Sequence, residues 1–198
     1  MKKFSGGIVV SCLVLLIGSG TTQTSSAQTT CSTLSVRAIE AKPAQSKKVR
    51  WKKFVSAIDK FSVLMPGVPQ KKTVGVPGSE TRTYVLKAGK VSYVVASQTP
   101  ETLLDKKGKN LSAEGILNSN LQGYLSFVGS RLKSQRKIVF QGHLGRELIV
   151  VMTDKKTQSK DRVIFARGRM YSFSFIAPIQ GFSNKSADVF LKSFTFLK

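Results

Sequence analysis

Two cysteines, one histidine and ten acidic residues are all that this 198-residue chain holds of the side chains from which most active sites are built. Two cysteines exclude a disulfide-stapled scaffold and the usual four-ligand zinc sites. The acids are scattered singly, without one Asp-x-Asp pair, so no cluster of oxygens is ready for a divalent cation. A Gly-x-Ser-x-Gly nucleophile elbow is missing. No apolar run reaches the roughly 20 residues that cross a bilayer. What the chain has in excess is positive charge: 32 Lys+Arg give +22 at pH 7. Its 41% hydrophobic content is that of an ordinary soluble domain, neither a membrane bundle nor a disordered tail.

The first segment reads as an address. Lys2 and Lys3 precede the apolar run from Ile8 to Ile17, and small or polar residues follow to Thr30. That is the layout of a secretory signal peptide over residues 1–27, with Ser25-Ser26-Ala27 as the cleavage signal. The alternative is an uncleaved amphiphilic anchor. Neither Cys12 nor Cys31 follows a small-residue lipobox, which argues against lipid attachment. Cleavage after Ala27 would remove two lysines and no acid, taking +22 to +20 on the remaining 171 of 198 residues, and would leave Cys31 as an idle sole thiol. The expected location is outside the cytoplasm: periplasm, thylakoid lumen or extracellular space, with any membrane contact peripheral.

Residues 28–50, rich in Thr, Ser, Gln and Lys, read as a flexible leader, and residues 51–198 as one domain. Period-two alternation dominates that domain. Phe61–Met65 is a strand stopped by Pro66-Gly67. Hairpins are expected around Lys87-Ala88-Gly89-Lys90, Gly142-His143-Leu144-Gly145 and Arg167-Gly168-Arg169. Tyr171, Phe173 and Phe175 fall on one face of a strand and Ser172 and Ser174 on the other. Between Ser112 and Ser134 the period becomes 3.6, with Leu117, Leu121, Tyr124, Leu125, Val128 and Leu132 on one stripe and Ser112 as N-cap. A second helix is expected over Ser183–Ser193, then a short strand with Phe194 and Phe196. Together these predict an α+β fold, an antiparallel sheet covered by helices.

Phe61-Ser62-Val63-Leu64-Met65-Pro66-Gly67-Val68-Pro69, the Gly142-x-x-Gly145-Arg146-Glu147 segment, Arg162 with Arg169-x-Tyr171, and the ending Phe190-Leu191-x-Ser193-Phe194 resemble a group of exported bacterial proteins. That group, common in cyanobacteria, resembles the PsbP-like fold. The resemblance implies an α-β-α sandwich and a non-catalytic accessory role at photosynthetic membranes; it implies no cofactor and carries over no site residue.

Chemistry has one candidate pair, His143 as base with Glu147 as its orienting group, the arrangement a hydrolase would use. The plainer reading is an exposed hairpin-turn imidazole, and Glu147 with Asp161 is expected in cross-strand ion pairs with the nearby arginines. The stronger signal is the basic clusters. Lys47, Lys48, Arg50, Trp51, Lys52 and Lys53 form the densest, and Arg131, Lys133, Arg136 and Lys137 the second. Lys71-Lys72, Lys106-Lys107-Gly108-Lys109 and Lys155-Lys156 add to them. Such a surface favours an anionic membrane or an acidic membrane-associated complex, then a cell-wall polyanion. Nucleic acid ranks lower, since no helix-turn-helix, finger or RRM-like pattern occurs. Trp51 reads equally as an exposed anchor or as a ring packed beneath the first strand. A monomeric, non-enzymatic binding protein is expected.

Overall fold

A computed structural model describes residues 50–75, 80–99, 112–128 and 130–198. The expected signal segment, Lys47, Lys48 and the lysines of residues 106–109 lie outside the described residues. In chain order the elements are β1 (Lys52–Ser56), β2 (Phe61–Met65), β3 (Gln70–Val74), β4 (Thr81–Ala88), β5 (Val91–Gln98), α1 (Ala113–Val128), β6 (Arg131–Phe140), β7 (His143–Val151), β8 (Thr157–Ala166), β9 (Arg169–Pro178), α2 (Asn184–Ser193) and β10 (Thr195–Phe196). All pairings are antiparallel, in a three-stranded sheet of order β1-β2-β10 and a seven-stranded sheet of order β3-β4-β5-β9-β8-β7-β6.

Alternation along the central strand divides the large sheet into two buried faces. Tyr171, Phe173, Phe175 and Ala177 of β9 point one way, into a core closed by Phe61, Val63 and Met65 of β2 and by Ala187, Phe190, Leu191 and Phe194 of α2 and its end. Met170 points the other way, where Ile116, Leu117 and Leu121 of α1 pack on Leu148, Val150 and Val163. The fold is therefore α+β, as the patterning predicts, but sheet-dominated. The expected covering of helices is only partly right, because β1, β2 and β10 form a second sheet over one face, beside α2.

Two boundaries differ from the sequence reading. The long helix ends at Val128, and residues 131–140 are a strand. Leu132 joins the α1-side cluster from β6, so its apolar position satisfied the helical period without being helical. The second of the expected hairpin loops is also tighter than predicted. Its turn is Gln141-Gly142, both at positive φ (50° and 80°), the geometry of a two-residue loop that matches strand twist. His143 thus begins β7 rather than occupying the turn. Gly145 serves close approach instead: a Cβ there would stand 2.2 Å from Ile164 Cδ1 and 2.8 Å from the Val163 carbonyl oxygen. The expected Ser112 cap forms, and Ser183 caps α2 in the same way. The Gly115 amide donates to Ser112 Oγ at 3.1 Å and the Ser186 amide to Ser183 Oγ at 3.2 Å.

Candidate anion-binding surface

The two basic clusters that the sequence singles out fall on edge strands. Arg50, Lys52 and Lys53 are exposed at and before β1, the edge of the small sheet. Trp51 between them is half-buried and meets the Tyr93 ring edge-on at 5.7 Å and 89°, so its ring packs against β5. Arg131, Lys133, Arg136 and Lys137 are exposed on β6, the edge of the large sheet. Four strand steps separate β5 from β6, about 19 Å at the usual spacing. The structure therefore keeps the two clusters apart. Within the second, Arg136 donates from Nε and Nη2 to Glu147 Oε1, and Lys137 pairs with Glu114. Arg131 and Lys133 have no carboxylate partner among the described residues.

Every carboxylate among the described residues is engaged inside the molecule. Glu147 is nearly buried and sits directly opposite Arg136 and Arg162 in the ladders. Arg162 Nε donates to its second oxygen at 2.8 Å, and the same guanidinium lies over the Phe140 ring and donates to the Leu191 carbonyl. Burial pushes the Glu147 carboxyl up, but Arg162 and Arg136 outweigh it and hold it below the usual range. Glu114 takes Lys137 and Arg146, and both hold it low. Asp188 is held low by Lys160, with Lys192 beside it. Asp154 accepts from Lys156 and Thr157, whose hydroxyl is the largest cause of its lowered value. Asp161 is buried against the Ser159 hydroxyl. Asp59, fully buried in the β1–β2 turn, takes Arg82, Arg169 and the Tyr84 hydroxyl, and Glu80 takes Arg82.

The expected ion pairs are thus partly redistributed. Arg162 pairs with Glu147 as the local spacing implies, but Arg146, Arg169 and Arg167 go instead to Glu114, Asp59 and the Leu197 carbonyl. His143 and Glu147 share a face of β7 four residues apart, about 13 Å along an extended strand. His143 lies edge-on to Phe196 at 5.2 Å, and Glu147 is clamped by two arginines. The geometry does not bring them together as base and orienting group. Among the described residues no three His, Cys, Asp or Glu side chains converge as a metal site requires, and no helix is long and apolar enough to cross a membrane. One small hollow, about 20 Å³, is lined by Glu114, Leu117, Lys137, Leu144, Gly145 and Arg146.

These ion pairs have a measurable pH signature. Glu114, Glu147, Asp154 and Asp188 are each more readily ionised in the fold than in the unfolded chain. Their stabilisation is complete above the unfolded carboxylate value, about 4, and is lost as pH falls through the lower folded values. The urea midpoint should therefore be flat from pH 7 to 5 and fall steeply below about pH 4. Glu147→Gln should cost about 3 kcal/mol at pH 7, because it strands Arg162 in a largely dry site, and should flatten the acid limb. A midpoint that does not move between pH 6 and pH 3 contradicts this account.

No family model and no curated protein matches the chain. Among solved structures it is similar to a protein of unknown function, PA94, from Pseudomonas aeruginosa, with a TM-score of 0.39 and 10% identity over 66% of this chain and 84% of that one. It is similar to the solution structure of cyanobacterial PsbP (CyanoP) from Synechocystis sp. PCC 6803 at a TM-score of 0.53, covering 79% of this chain and 98% of that one. At 12% identity the second likeness is one of fold: a PsbP-like architecture built from a different sequence.

Proposed function

We propose that the protein is an exported, non-enzymatic accessory or binding protein that docks electrostatically on an anionic membrane-associated partner. One observation carries this reading: every acidic side chain among the described residues already has a partner within the molecule, while Arg50, Lys52, Lys87, Lys90, Lys155 and Lys156 are exposed without a carboxylate partner among those residues. An approaching anion meets more exposed cations than acids, and the described acids at the surface, Glu114, Asp154 and Asp188, are already engaged within the molecule. The field that results acts over roughly 10 Å at 0.1 M salt and about 3 Å at 1 M, and each well-placed Lys or Arg contributes about 1 kcal/mol near an anionic bilayer. The PsbP-like fold is compatible with an accessory role and adds no site of its own.

Sedimentation with vesicles tests it. The full chain should pellet with vesicles rich in anionic lipid at least tenfold more than with neutral ones at low salt, and the excess should vanish near 1 M salt. Equal pelleting with both at low salt rejects the lipid reading.

A further inference from the structure

We propose that one end of the sandwich is the face laid against an anionic lipid surface, an inference that rests on the docking function above and adds its orientation. Register carries the placement. Lys52 stands opposite Met65 at the start of β1, and Trp51 beside it reaches Tyr93. Tyr93 is opposite Leu86, whose side chain a Cβ on Gly67 would meet at 3.4 Å, so the β2–β3 corner with Val68 joins the same end as the Gly89-Lys90 turn. Ser92 pairs with Ile176, and Thr157 with Pro178, which brings the chain after β9 and the β7–β8 connection alongside. The Ile179 amide donates to the Lys156 carbonyl at 2.8 Å, tying those two segments together. Arg131, opposite Val151, completes the row at the far edge.

Segments distant in sequence thus place Arg50, Lys52, Lys87, Lys90, Lys155 and Lys156 on one end, all exposed and none with a carboxylate partner among the described residues. The one described acid there, Asp154, is engaged by its own loop. The opposite end differs. Arg82 and Arg169 there are bound to Asp59, Arg82 also to Glu80, and Arg167 donates to the Leu197 carbonyl, so that among the described residues Lys60 and Lys198 are the exposed cations there without a carboxylate partner. The two ends therefore differ in outward charge, and a molecule drifting near a negative plane turns the richer end toward it. Val68, 80% exposed, and Ile179, 41% exposed, sit among these cations, an arrangement of apolar tips within a basic rim that suits the headgroup layer rather than bulk water.

The test compares two variants of equal net charge with the wild type, all carrying the same N-terminal segment so that its contribution cancels. One is Lys87→Gln, Lys90→Gln, Lys155→Gln and Lys156→Gln; the other is Lys60→Gln, Lys71→Gln, Lys72→Gln and Lys198→Gln. Partition onto vesicles of anionic lipid should fall about a hundredfold for the first set and no more than about threefold for the second. The sole tryptophan, Trp51, reports the face directly: bromine-labelled lipid in anionic vesicles should quench it in the wild type and in the second variant. Equal losses for the two sets, or a bound wild type whose Trp51 is not quenched, overturn the assignment of this end while leaving electrostatic docking intact. A wild type with no preference for anionic over neutral vesicles removes the docking function itself, and this inference with it.

Discussion

Replacing Phe194 by alanine should lower folding stability by about 4 kcal/mol, within the range for buried aromatic truncations. Phe194 is fully buried, stacked on Phe173 at 4.3 Å and 2° and on Phe61 at 5.2 Å and 15°, with Phe140, Tyr171 and Phe196 around it. It therefore joins β9 of the large sheet to β2 of the small one through a single ring. The cavity left by truncation has little means of collapse, because the backbone on either side is held. Gln141 donates from Nε2 to the Phe194 carbonyl at 2.7 Å and accepts from the Phe196 amide at 3.2 Å. Phe194→Leu, which keeps most of the volume and loses the stacking, should cost less than half as much. Urea unfolding followed by circular dichroism measures both, and a loss below 1 kcal/mol for the alanine variant would show that the two sheets are held together elsewhere.

By sequence pattern that ring falls in the last short strand, whereas it closes α2 one residue before β10; the core around it is legible through periodicity. Phe61–Met65, Tyr171–Phe175 and Ala187, Phe190, Leu191 each show a period whose buried members are the expected ones. Periodicity fails where one residue satisfies two geometries. Leu132 continues the helical stripe after Val128 and also fits a strand, and only pairing with β7, through a bulge between Leu132 and Ser134, decides for the strand. In the sequence, Gly129 stands just after the last helical residue, where glycine commonly stops helices. Partner choice among charges was legible only across adjacent strands. Glu147 with Arg162 follows from hairpin register, whereas Asp59 finds Arg82, Tyr84 and Arg169 at separations of 23, 25 and 110 residues, beyond any local pattern. The cationic end was hidden for the same reason. Lys87 and Lys90 flank one turn and Lys155-Lys156 sit in another, minor features beside the denser run at Lys47–Lys53, and only sheet register puts them on the same end.

The long-range knot at Asp59 gives the second large effect: Asp59→Asn should cost about 3–5 kcal/mol. Asp59 Oδ1 accepts from Arg82 at 3.0 Å and Arg169 at 3.1 Å, and Oδ2 accepts from the Tyr84 hydroxyl at 2.6 Å. Tyr171 donates to its backbone carbonyl at 3.0 Å, so the β1–β2 turn is fastened to both β4 and β9. Asparagine keeps the shape but removes the charge that two guanidiniums face. Both arginines retain some solvent contact, 18% and 24%, which places the expected loss nearer the lower figure. The alkaline limb supplies a readout that packing alone would not move. Burial, then the bond to Asp59, pushes the Tyr84 phenol up to about 12. Because that folded value exceeds the unfolded one, about 10, the stabilisation from Tyr84 is whole below pH 10 and drains away as pH rises toward 12. In the Asn variant the acceptor weakens, so the window narrows and Tyr84 should ionise at lower pH, seen as earlier tyrosinate absorbance. Tyr84→Phe, which leaves the carboxylate and both arginines in place, should cost only about 1.5–3 kcal/mol. If Asp59→Asn unfolds at the wild-type urea concentration and its tyrosines titrate unchanged, the turn is held by Phe61 and its neighbours rather than by charge.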